Sequence, residues 1–247
     1  MIAKFFTRGR KPSSRRMREI AQRRATTRRQ GLGGERLEAR QLLANTVGLI
    51  TNNVAEAFGG YTLFAPSSST TTYLIDQEGH EVNRWTSGFT PMTAELLPDG
   101  SMIRAARVPT QGAPNKQWAP GTSGRIEKFN WDGDLVWSYT LATPDAHLHH
   151  DFEVMPNGNV LMIAWERKTY AEAVAAGRRP DDVPIAPGTG GVRELWPDML
   201  IEVRPNQPAQ GQTFAEGGEI VWQWHLWDHL VQDIDPTKAN YGNVAAN

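Results

Sequence analysis

No cysteine occurs among the 247 residues, so the chain has neither a disulfide framework nor a thiolate metal site. No run of 18 or more apolar residues is present, which excludes a membrane-spanning helix. Gly188-Thr189-Gly190-Gly191 lacks the Lys-Ser/Thr ending of a phosphate-binding loop, so it carries no nucleotide role. Helix formers are concentrated in one stretch, Lys168 to Gly177, which reads as a short helix ending in a glycine at C′. What remains is rich in turns and aromatics. Nine Trp, 23 Gly and 39% hydrophobic residues suit an all-β protein able to bury a sizeable core.

The net charge of −1 conceals an asymmetry. Half of the 26 Lys and Arg residues fall in the first forty positions, against only Glu19, Glu35 and Glu38. The rest of the chain is acidic, and the basic arm lacks the aromatic or helical pattern of a nucleic-acid reader. No nucleic-acid partner is expected. Residues 1–44 instead read as a basic targeting or disordered segment preceding a folded body at 45–247. Leu37-Glu38-Ala39-Arg40-Gln41-Leu42-Leu43-Ala44 resembles the Leu-Glu-x-Arg-x-Leu-Leu-Ala segment of exported planctomycete proteins. That resemblance implies export to the periplasm or the cell exterior.

From Tyr61 onward two hairpin units alternate. One carries a Gly turn rich in acids and amides, at Asp76-Gln77-Glu78-Gly79 and Asn130-Trp131-Asp132-Gly133. Its third copy, from Leu200-Ile201-Glu202-Val203, reaches Gly218 after an inserted polar loop. Trp85, Tyr139 and Trp224 follow these glycines at a constant spacing, as do Trp137 and Trp222 in the last two copies. The other unit turns at Leu97-Pro98-Asp99-Gly100 and Met155-Pro156-Asn157-Gly158. Two such hairpins make a four-stranded sheet, and the period matches a β-propeller blade. About three blades fit, fewer than a closed propeller uses. The chain is therefore expected to be an incomplete propeller that associates with itself or with a missing half, with the recurring tryptophans packed between blades.

The stretch His147-Leu148-His149-His150-Asp151-Phe152-Glu153 opens one hairpin, with strands expected near 150–155 and 159–165. Strict alternation would put His147, His149 and Asp151 on one face and His150 with Phe152 on the other. Aligning Pro98 with Pro156 sets Pro91 and Met92 opposite His149 and His150, so the hairpin itself does not require imidazoles there. His149 and His150 are the candidate catalytic residues.

Gly60-Tyr61-Thr62-Leu63-Phe64-Ala65-Pro66, His149-His150-Asp151-Phe152-Glu153, Pro156-Asn157-Gly158-Asn159-Val160-Leu161 and Trp222-Gln223-Trp224-His225-Leu226-Trp227-Asp228-His229-Leu230 stand in an order that resembles bacterial aryl sulfotransferases independent of nucleotide sulfate donors. The resemblance implies a six-bladed propeller. Within it, a histidine would carry a sulfuryl group from an aryl sulfate donor to a phenolic acceptor, with no cofactor, metal or nucleotide. His149 and His150 would line the central channel. The family continues into an Asp-Trp-x-His-x-Asn motif that this sequence does not reach, so the chain reads as C-terminally truncated and its own turnover is expected to be low. The alternative function is a non-catalytic propeller fragment binding a partner or a small anionic ligand.

Overall fold

The structure, a computed structural model, describes residues 49–53, 55–113, 118–242 and 244. The basic arm expected to direct export lies outside them. The described residues fall into two compact units, one of residues 65–72 with those from 84 onward, the other of residues up to 64 with 73–83.

The chain is all-β, in several open sheets. A three-stranded sheet runs in order through β1 (Thr62–Phe64), β2 (Thr71–Ile75) and β3 (Glu81–Thr86). Next come β4 (Pro91–Leu96), β5 (Met102–Arg107), β6 (Gly124–Phe129) and β7 (Leu135–Thr140), an antiparallel meander. A second meander begins with β8 (Ala146–Val154) and β9 (Val160–Glu166). It is interrupted by β10 (Lys168–Thr169), the helix α1 (Tyr170–Ala175) and β11 (Glu194–Leu195), the two short strands pairing with each other. It resumes with β12 (Asp198–Pro205), passes β13 (Ala215–Glu216) and closes with β14 (Gly218–His225).

Local chemistry places these elements. The Pro-Asp-Gly and Pro-Asn-Gly turns close as expected, with Leu97 N–H donating to Ser101 O and Met155 N–H to Asn159 O, both at 2.8 Å. Gly100 and Gly158 take φ of 87° and 85°, which glycine adopts freely. α1 starts on a capping box between Thr169 and Glu172, and Gly177 occupies C′ with φ 98°.

The two meanders repeat register for register. Ala94 faces Arg104 in one sheet, and Phe152 faces Met162, each 58 positions later, in the other. β6–β7 skips one residue between Trp137 and Leu135, and β12–β14 skips one between Trp222 and Ile220. Ile103, Ala105, Ile126 and Trp137 of the first meander pack with Val160, Met162, Ile201 and Val203 of the second in one buried apolar cluster. Full burial of each of the Ile, Val and Met side chains in it contributes roughly 1.5–3 kcal/mol.

The tryptophans link successive sheets, but not all of them. Trp85 Nε1 donates to Asn130 O in the β6–β7 turn at 2.8 Å, and Trp137 Nε1 to Gly217 O just before β14, also at 2.8 Å. Both are buried. Trp222, in register with Trp137, is 47% exposed, contrary to the packed position expected for it. Trp224 is half-buried and stacks on His229 at 4.8 Å.

Candidate functional site

β8 starts four residues earlier than expected and does not alternate. Leu148 pairs with Ala164 and Phe152 with Met162, so two extra residues are accommodated on β8. Its counterpart β4 carries one extra residue, between Pro91 and Ala94. In ladder terms Leu148, not His149, therefore stands in the place of Pro91. Residues 149–151 form a wider bulge, which redirects side chains that a regular strand would alternate. His147, Leu148 and His149 are all buried, whereas His150 and Asp151 are both exposed. This replaces the expected grouping of His147, His149 and Asp151 on one face.

The bulge is held by the segment before β6. Ser123 N–H donates to Leu148 O, His150 N–H donates to Gly121 O at 2.8 Å, and Thr122 bridges His149. His150 adopts φ 53°, the one described non-glycine residue with positive φ. Such a conformation outside glycine is uncommon and marks strained, often functional positions. Gly121 is required by this arrangement, because a Cβ there would lie 2.3 Å from His150 Nε2, and its own φ is 98°. Gly121→Ala is therefore expected to displace the His150 ring while leaving the buried cluster intact. The check is the ¹H–¹⁵N spectrum of the imidazoles, with unchanged His150 resonances counting against the packing described.

The two rings meet end to end. His149 Nδ1 and His150 Nδ1 are 2.8 Å apart with the rings nearly perpendicular. His149 stacks on Trp165 at 3.9 Å, 17° from parallel. Its Nε2 lies 3.2 Å from Asp198 Oδ1, within ion-pair range but off hydrogen-bond alignment. β12 delivers Asp198 because it pairs with Trp165 of β9, which itself pairs with His147. Trp118, Trp165 and Trp196 cluster alongside, Trp118 lying 4.8 Å from Trp196.

Burial pushes the His149 imidazole down to about 4, the Asp198 charge opposing this and His150 adding to it. A neutral His149 has one ring N–H, and the Asp198 carboxylate favours it at Nε2. With the hydrogen on Nε2, Nδ1 is an acceptor and the 2.8 Å contact takes its hydrogen from His150 Nδ1, leaving His150 Nε2 as the ring atom at the end of the chain. Asp198, His149 and His150 thus form a relay ending in the ring of an exposed side chain, a geometry that suits proton transfer or nucleophilic attack.

Asp198 was not singled out in the sequence. A comparison of repeats carries the signal, since Gly124 occupies the matching place in β6. His225 and Asp228, also in a motif noted in the sequence, lie elsewhere. His225 Nδ1 faces Glu166 at 3.2 Å, and Leu226–His229 form one 3₁₀ turn. A cavity of about 550 Å³ lined by Gly177, Trp227 and Gln232 does not include the histidine relay. Asp76, Glu78 and His80 bring ligand-type atoms within 4.8 Å of one another, but Asp76 accepts from both the backbone and the ring of His80 and so closes the β2–β3 turn. No family model matches the chain, and no curated protein matches it.

Proposed function

We propose that this chain is a β-propeller aryl sulfotransferase, moving a sulfuryl group from an aryl sulfate ester to a phenol with His149 and His150 at the reacting centre. Two observations support the propeller: four-stranded antiparallel meanders that repeat in register, and indole-to-turn hydrogen bonds from sheet to sheet. The observation that carries the activity is the relay. It ends at His150 Nε2, on an exposed side chain held in a strained bulge.

In this reading His150 Nε2 takes the proton of the phenolic O–H as its oxygen bonds to sulfur, and the donor leaves as a phenolate. His149 accepts from His150 Nδ1 and holds the ring in that tautomer. Asp198 stabilises the positive charge that develops along the pair. By analogy with phosphoryl transfer, positioning and electrostatics supply most of the acceleration. Incubating the protein, extended to include the Asp-Trp-x-His-x-Asn motif of the resembled family, with an aryl sulfate and a different phenol, and following the sulfated acceptor by mass spectrometry, tests the reading. The expected result is acceptor-dependent transfer, and hydrolysis without transfer would contradict it.

A further inference from the structure

The last strand of the second meander is unlike its counterpart. β7 has its outer edge covered, because β13 pairs with Trp137 and Ser138 in parallel, Gly217 N–H donates to Ser138 O, and Arg125 meets Glu216 at 3.3 Å. β14 is eight residues long and ends its sheet, with no described strand on its outer edge. Ile220, Val221 and Trp222 are 44%, 39% and 47% exposed, while Trp137, in register with Trp222, is 4% exposed. The shared one-residue bulge does not prevent pairing at this point, since β13 binds β7 directly beside it. Long unprotected edges of this kind recruit another strand.

We propose that β14 seats a second copy of this chain through antiparallel pairing of β14 with itself about a two-fold axis at Trp222. Self-pairing about that axis sets Trp222 against Trp222, Val221 against Gln223, Ile220 against Trp224 and Glu219 against His225 of the second copy. The centre is uncharged, so no like charges oppose, and at each end a carboxylate faces an imidazole. Glu219 already pairs with Arg204, and His225 with Glu166, so both ends are held in place before association. Apolar and aromatic cross-strand pairs and an isologous two-fold are the common means of closing such an edge. Neither part of this inference depends on the sulfuryl-transfer reading.

Sedimentation velocity of the full chain over a concentration series tests it. The wild type is expected to dimerise, and Trp222→Glu to weaken association by about 100-fold or more, because two carboxylates then face each other across the axis. At protein concentrations low enough for the wild type to be monomeric, the variant is expected to share its thermal midpoint, because the position is exposed. Trp222→Lys behaves likewise alone, whereas an equimolar mixture of the Glu and Lys variants restores the dimer, which only a 222-to-222 contact explains. A monomeric wild type, a dimer indifferent to Trp222→Glu, open-ended polymers, or a mixture that stays monomeric would each overturn the proposal.

Discussion

Arg104→Met alone is expected to destabilise the chain by about 3–5 kcal/mol, and the double variant Arg104→Met/Glu127→Ile to recover most of that loss. Arg104 is fully buried and Glu127 nearly so, on adjacent strands of the first meander. The guanidinium donates to Glu127 Oε2 from Nε at 3.0 Å, to Thr70 O and Thr72 Oγ1, and to Ser87 Oγ at 2.6 Å. Burial lowers the Arg104 pKa and the Glu127 charge opposes this. Removing the cation leaves a buried carboxylate that keeps only the donors of Ser87 and Arg125 among its described contacts. The register repeat identifies the remedy, since Met162 and Ile201 occupy the matching positions in the second meander and are both buried. Well-packed apolar pairs commonly replace buried ion pairs without loss. Denaturant unfolding of the two variants decides it, and a double variant as unstable as the single would show that the hydrogen-bond network, rather than the under-satisfied carboxylate, sets the stability.

Asp198→Asn is expected to slow sulfuryl transfer by up to about 10²-fold, lowering kcat and kcat/KM together, while the unfolding midpoint stays nearly constant. An amide of the same shape retains the packing but no longer favours a hydrogen on His149 Nε2, so His149 Nδ1 ceases to be a dependable acceptor and His150 loses its fixed tautomer. The ¹⁵N shifts of the His150 ring separate this positioning role from a merely structural one. A changed tautomer ratio is expected in Asp198→Asn, and an unaltered one would remove Asp198 from the relay. Because the folded His149 pKa lies near 4 and the unfolded value near 6.5, the unfolded chain binds the proton more readily between them. The contribution of His149 to stability is therefore complete above about pH 6.5 and declines as pH falls towards about 4.

The hairpin turns, the all-β class and the helix ending at Gly177 were legible in the sequence because each rests on local backbone chemistry: Pro-Asp-Gly and Pro-Asn-Gly turns, and a glycine at C′. The importance of His149 and His150 was legible by comparison with Pro91 and Met92, although the ladder later moved that equivalence by one position. The bulge itself was not legible. Alternation assumes one residue per partner, and the extra residues of β8 become visible only when Leu148 and Phe152 are set against Ala164 and Met162. Asp198 lies 48 positions after His150 and reaches His149 through the β9–β12 ladder, so no local pattern announces it. Trp222 shares its spacing with Trp137, but β13 covers β7 beside Trp137 whereas no described strand lies beyond β14, a difference that spacing alone does not reveal.

The most direct test of the central claim is the initial rate of sulfuryl transfer from an aryl sulfate to a phenol by the protein extended to include the Asp-Trp-x-His-x-Asn motif, wild type beside His150→Asn, with both unfolding midpoints recorded. The relay predicts a loss of about 10²-fold or more at an unchanged midpoint, since His150 Nε2 is the atom that takes the proton and the side chain is exposed. Equal rates in the two proteins would contradict it and return His150 to a residue that merely shapes the bulge.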